Sequence, residues 1–163
     1  VSPPACSGAK PGMKTRVRTV ADMRRLGAML AKQLLPGDVL VLQGDLGAGK
    51  SELVRGIAGG LSIQDPIPSP TFTIMNAYSS GRVPLYHFDW YRLQQVEELY
   101  EMGLDEFLGG DGIAAVEWAE RFPEAVPPDH LLIQISTSAD GVRMVDITPA
   151  GEFRQLVDQE GQA

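Results

Sequence analysis

Cysteine is almost absent from this sequence: Cys6 is the single one among 163 residues. One thiol cannot close an internal disulfide and offers no thiolate metal site, so a reducing, cytoplasmic setting is expected. Long apolar runs are missing as well. No stretch approaches the roughly 20 residues that a spanning helix needs, so no membrane association is expected. Positive charge is in short supply, with 14 Lys and Arg against 21 Asp and Glu and a formal net charge of -7. A free-standing nucleic-acid binder normally shows a basic face. Any service to nucleic-acid chemistry is therefore expected to pass through a protein partner. The first dozen residues carry Pro3, Pro4, Gly8, Pro11 and Gly12 and lack the apolar stretch of a signal peptide. Residues 1–12 read as a disordered tail, 13–158 as one domain and 159–163 as a second tail. The length suits one core and not two full ones.

Against these absences stands one specific stretch. Gly44-Asp45-Leu46-Gly47-Ala48-Gly49-Lys50-Ser51 matches the phosphate-loop pattern G-x-x-x-x-G-K-S/T at every fixed position. The glycines let the backbone curl so that successive N–H groups point at phosphate oxygens. Lys50 can reach the β- and γ-phosphates, and the Ser51 hydroxyl can ligate Mg²⁺. The flanks fit this reading. Val39-Leu40-Val41-Leu42 reads as a buried strand, and the run from Ser51 to Ala58 reads as a helix closed by Gly59-Gly60. A helix N-terminus favours an anion through its dipole and its N–H groups. The nucleotide-contacting span expected here is Asp45, Leu46, Gly47, Ala48, Gly49, Lys50, Ser51 and Glu52.

The rest of the chain alternates strands with helices. Arg16-Val17-Arg18 reads as a short strand. Thr19-Val20-Ala21-Asp22 opens a helix with a capping-box-like start, and Val20, Met23, Leu26, Leu30 and Leu34 recur at helical spacing. Two β-rich runs, 71–78 and 83–89, flank Ser79-Ser80-Gly81-Arg82 and predict a hairpin. Val96, Leu99 and Tyr100 predict a helix, and 104–108 a short helical piece. Ile113-Ala114-Ala115-Val116 is a second apolar run of central-strand type. His130 to Ser136, then Val145 and Ile147 beyond a turn, predict a C-terminal hairpin, and the last dozen residues a loose helix. The expected fold is α/β and P-loop NTPase-like. Its mostly parallel central sheet is flanked by helices, with a β-hairpin insertion and a C-terminal antiparallel hairpin.

Hydrolysis needs acids besides the loop, to position Mg²⁺ and to orient water. Glu117 follows four apolar residues at a predicted strand end, where ligands of such sheets collect; the alternative is a solvated strand-end charge. Asp89 closes another such run and reads equally as a catalytic acid or as the cap of the next turn. His87 alternates with Asp89 and reads as a hydrogen-bonded structural residue. Trp90 and Trp118 read as packing. Thr71 lies where nucleoside triphosphatases place switch elements, or is a turn hydroxyl. Arg55, Arg92 and Arg121 are arginine-finger candidates that no motif singles out.

Gly44 to Lys50, Ser69-Pro70-Thr71-Phe72, the run Tyr86-His87-Phe88-Asp89-Trp90-Tyr91-Arg92-Leu93, and Val116-Glu117-Trp118 occur in this order. Together they resemble the TsaE (YjeE) family, over about residues 16–150. The resemblance implies an ATP- and Mg²⁺-dependent P-loop ATPase. It would support the TsaD–TsaB pair in threonylcarbamoylation of adenosine 37 of tRNAs reading ANN codons, touching tRNA only through that complex. It also implies that Ser51 and Glu117 serve Mg²⁺, that Asp89 is catalytic alongside Lys50, and that Thr71 belongs to a switch. Adenine would lie between Val20 and Gly141. The chain departs from the family pattern at Ser51 and Glu52, where Thr is common. Two other readings stay open: a small P-loop kinase acting on a metabolite, and a nucleotide-gated binding module without catalysis. A GTPase is disfavoured, since no Asn-Lys-x-Asp guanine-reading motif is found.

Overall fold

Val39–Gly44, the apolar run before the glycine-rich loop, is the strand around which the sheet is organised. The computed structural model describes residues 12–45, 47–67 and 74–157. Both predicted tails fall almost wholly outside this range, as do Leu46 and Thr71. Among the described residues seven strands form one sheet: β1 (Met13–Val17), β2 (Val39–Gly44), β3 (Met75–Tyr78), β4 (Leu85–Asp89), β5 (Ile113–Glu117), β6 (His130–Thr137) and β7 (Arg143–Ala150). Their spatial order is β1-β7-β6-β2-β5-β4-β3. The four central strands β6, β2, β5 and β4 are parallel. The outer pairings β1–β7, β6–β7 and β3–β4 are antiparallel. The predicted mixed α/β sheet is thus present, with its parallel part confined to the centre. The hairpin read as an insertion is built into it, because β4 is itself a member of the parallel core.

Two helices cover one face. In α1 (Val20–Ala31), the Thr19 hydroxyl accepts the Asp22 N–H at 3.0 Å, and Met23, Leu26 and Leu30 turn inward. This is one half of the predicted capping box; the Asp22 carboxylate instead pairs with Arg25. The helix α2 (Lys50–Gly60) follows the loop and buries Leu53, Val54 and Ile57. The two helices meet backbone to backbone. A Cβ on Gly27 would stand 2.5 Å from the Leu53 carbonyl oxygen, and one on Gly56 would collide with the backbone of Arg24.

Among the described residues the opposite face has no long helix. Val39, Val41, Tyr86, Phe88, Trp90, Ala114 and Val116 form its core, joined by Phe107 and Phe122 from short connections. The helix predicted around Leu99 is the five-residue α3 (Glu97–Glu101), followed by a 3-10 turn over Leu104–Phe107. Gly103, at φ 69°, separates the two pieces. The loose helix predicted at the C-terminus is not formed over residues 152–157. That segment is fixed by side chains. Phe153 and Leu156 are buried, Arg154 binds Asp38 at 2.8 and 2.9 Å, and the Gln33 amide bonds both backbone groups of Val157. Where tertiary partners satisfy the backbone and bury the apolar side chains, a helix is not needed to do so. No helix among the described residues is long and apolar enough to cross a membrane.

Candidate functional site

β2 ends at Gly44 and α2 begins at Lys50, and of the loop between them Asp45, Gly47, Ala48 and Gly49 are described. Gly47 and Gly49 take φ values of 82° and 116°, in the region that L side chains rarely adopt. A Cβ on Gly49 would also stand 2.8 Å from the Met23 methyl, so α1 packs directly against the loop. The Ala48 N–H donates to the Asp45 carbonyl at 2.9 Å, tightening the curl. Gly49 is the N-cap of α2, so no side chain caps this end. Lys50 lies in the first turn and is only 8% exposed. Ser51 follows it, half-buried.

Parallel register brings the acids to the same level. Leu42 of β2 pairs with Glu117 of β5, and Glu117 with Asp89 of β4. Partners in register point to the same face, so Glu117, Asp89 and His87 all face the side of α1 and α2. Glu117 Oε1 lies 3.7 Å from Lys50 Nζ, and Glu117 Oε2 lies 2.6 Å from His87 Nε2. Burial pushes the Glu117 carboxyl up. The His87 hydrogen bond and the charges of His87 and Lys50 outweigh burial and hold it below the ordinary carboxylate value. Asp89 accepts the Tyr91 N–H at 3.0 Å and caps the 3-10 turn Trp90–Arg92. Its capping role is therefore realised, on the strand end beside Glu117.

The two tryptophans part company. Trp90 is fully buried in the aromatic core. Trp118 takes φ 64° just after Glu117, and Lys50 Nζ lies 5.0 Å from its ring centroid. Its ring thus borders the site as well as packing. Arg55 and Arg121 have other work. Arg55 pairs with Glu52 and reaches the Ile67 carbonyl at 3.2 Å. Arg121 donates to the Tyr91 carbonyl and lies 5.8 Å from the Tyr91 ring.

Glu52 turns its carboxylate to arginines, with Arg24 Nε at 2.6 Å and Arg55 as second partner. The negative charge that departs from the family pattern is thus compensated beside the loop. Val20 is exposed at the start of α1, and Gly141, at φ 84°, lies in the β6–β7 turn. Val17 pairs with Arg143, and Arg143 donates to the Gly47 carbonyl at 3.0 Å. This end of the β1–β7 ladder therefore abuts the loop. Arg16, Ser138, Ala139, Asp140, Val142 and Met144 line a depression there.

Lys50 and Glu117 are thus brought together, with Asp89 alongside. Leu46 and Thr71 fall outside the described residues. Arg143, which nothing local marks, is absent from the residues singled out in the sequence; His87, expected to be a hydrogen-bonded residue alternating with Asp89, has Glu117 as its partner.

A central parallel strand, a glycine-rich loop, a helix, and a loop lysine facing a strand-end acid define a P-loop NTPase-like α/β protein. The family model for "Threonylcarbamoyl adenosine biosynthesis protein TsaE" matches residues 17–145, and the chain belongs to the TsaE family. It is 38% identical over 148 residues to the tRNA threonylcarbamoyladenosine biosynthesis protein TsaE of Bacillus subtilis, covering 91% of this chain and 92% of that one. To its namesake in a Nostoc species it is 44% identical over 128 residues, 76% of this chain and 78% of the other. The crystal structure of Bacillus subtilis YdiB superposes with a TM-score of 0.76 at 37% identity, covering 88% of each chain. The family's place is in tRNA threonylcarbamoyladenosine biosynthesis.

Proposed function

We propose that this chain is a cytoplasmic, Mg²⁺-dependent ATPase. In this reading it supports a TsaD–TsaB pair in threonylcarbamoylation of adenosine 37 of tRNAs reading ANN codons. The observation that carries the reading is the meeting of Lys50 and Glu117 at 3.7 Å beside the glycine-rich loop. The positive-φ glycines and the helix end without a side-chain cap fit a polyphosphate. Among the described residues no group of three or more His, Cys, Asp or Glu could hold a metal alone. Mg²⁺ needs no such cage, since it keeps several waters and takes one or two protein oxygens plus phosphate. Ser51 and Glu117 would supply those oxygens. When bound, the metal would neutralise developing charge on the β- and γ-phosphates.

The residues divide the work. Lys50 leaves Glu117 and reaches the phosphates. Backbone N–H groups of residues 47–52 hold the phosphate oxygens. Asp89, level with Glu117, orients the attacking water. Thr71 belongs to a switch, and Val20 and Gly141 flank the base. Turnover by the isolated chain is slow, because Arg55 and Arg121 are engaged within the fold and a partner is left to stabilise the transition state.

The test is deletion complementation read by mass spectrometry of tRNA nucleosides, paired with phosphate release. Lys50→Ala is expected to abolish the modification and to slow release by about 10²–10³-fold, the scale of losing one preorganised charge contact. Adding TsaD and TsaB is expected to accelerate the unsubstituted chain. Full complementation by Lys50→Ala would sink the proposal.

A further inference from the structure

The buried polar or charged side chains among the described residues are Asp38, Lys50 and His87. Asp38 is occupied by the Leu35 N–H at 2.7 Å and by Arg154. Lys50 belongs to the loop. His87, on a side chain only 4% exposed, has no part in the function proposed above.

Its surroundings do not call for an imidazole as filler. Leu85, two residues earlier on the same strand face, is fully buried, so this layer accepts an apolar side chain. Nδ1 of His87 is buried with no partner among the described residues. An unpartnered buried polar atom costs about 1–3 kcal/mol. The one polar contact the ring makes there is Nε2 to Glu117 Oε2 at 2.6 Å. An ionised carboxylate only accepts, so Nε2 carries the hydrogen. Glu117 is thereby held by one oxygen, while Oε1, 3.7 Å from Lys50 Nζ, has a partner that must depart for the phosphates.

We propose that His87 is a positioning residue that pins Glu117 by Oε2 and reserves Oε1 for exchange between Lys50 and the metal. This rests on the nucleotide-binding reading above. Residues that orient metal-binding carboxylates typically govern metal affinity by 10–100-fold.

The test is titration of Mg²⁺ into the full chain carrying fluorescent mant-ATP, with mant-ATP affinity in EDTA measured alongside. Gln places an amide N–H near the reach of Nε2, whereas Asn stops short of it. His87→Asn is expected to raise the Mg²⁺ midpoint roughly 10–100-fold while binding mant-ATP normally in EDTA. His87→Gln should stay near the unsubstituted chain. His87→Leu, matched to the layer of Leu85, serves as a second loss variant if Asn does not fold. A merely structural role would lower thermal stability without separating the Mg²⁺ and EDTA measurements. An unchanged midpoint in the loss variants, or Gln no better than Asn, would overturn the positioning role alone. If the unsubstituted chain binds mant-ATP neither with Mg²⁺ nor in EDTA, the nucleotide reading fails and takes this inference with it; binding that is the same in both overturns the reservation of Oε1 for the metal.

Discussion

The two faces of the sheet are built by different means. On one, α1 and α2 cross at backbone contact through Gly27 and Gly56 over an aliphatic layer. On the other, Tyr86, Phe88, Trp90, Phe107 and Phe122 fill the space beneath short turns. The central strands serve both. In β4, Tyr86 and Phe88 join the aromatic core, while His87 and Asp89 face the helices. In β5, Ala114 and Val116 go one way and Glu117 the other. The comparison teaches that the site has a floor and a lid of different construction. The aromatic face lends the site only the bordering ring of Trp118, yet it anchors the strands whose ends carry the acids. The helical face brings the loop to them.

The largest expected effect breaks the floor. Trp90→Ala removes a fully buried ring packed 6.3 Å from Phe88, centroid to centroid. Loss of such a side chain costs about 3–5 kcal/mol, readable by urea unfolding. A loss below about 1 kcal/mol, within the range of ordinary substitutions, would mean that this face is not a true core.

A smaller effect is expected from the lid. Gly56→Ala drives a methyl into the backbone of Arg24, and overpacking of this kind costs about 1–3 kcal/mol. Gly59, three residues on in the same helix, has nothing within 4 Å of a Cβ. Gly59→Ala should therefore stabilise, by up to about 1 kcal/mol from helix propensity. Equal effects of the two substitutions in the same unfolding assay would refute the backbone-contact account of the helix crossing.

The smallest effect concerns charge at the rim of the lid. The Glu52 carboxyl is held below its ordinary 4.5, first by the hydrogen bond from Arg24, against burial, with help from Arg55. The unfolded chain then binds this proton more readily than the folded one. The stabilisation is complete above 4.5 and is lost as pH falls through the lower folded value. Arg24 is half exposed, so Arg24→Ala should cost only about 0.2–1 kcal/mol near neutral pH. That difference should shrink as the pH falls through the folded value of Glu52. A difference that stays constant from neutral to acid pH would show that the pair is not its source.

Much of this was legible locally. The strand–loop–helix unit is contiguous, and its glycines, lysine and apolar run each announce their own geometry. The amphipathic period gave α1, and Thr19 its start. The apolar run 113–116 gave β5. What was not legible depended on residues far apart in the chain. The helix predicted at the C-terminus is not formed over residues 152–157, because Phe153, Arg154 and Leu156 find partners in the core and at Asp38. The short α3 could not lengthen past Gly103. Glu52 read as an unexplained charge until the helix crossing set Arg24 beside it.

By itself the sequence determined the kind of loop this protein carries, the elements flanking it, and the two acids at strand ends. A loop's curl and a strand's burial are decided by neighbouring residues. Only the tertiary structure decided that β4, β5 and β2 lie side by side in parallel register, with Asp89, Glu117 and the end of β2 at one level. That alignment is fixed by the packing of both faces at once, and it is what joins His87 to Glu117 and Glu117 to Lys50.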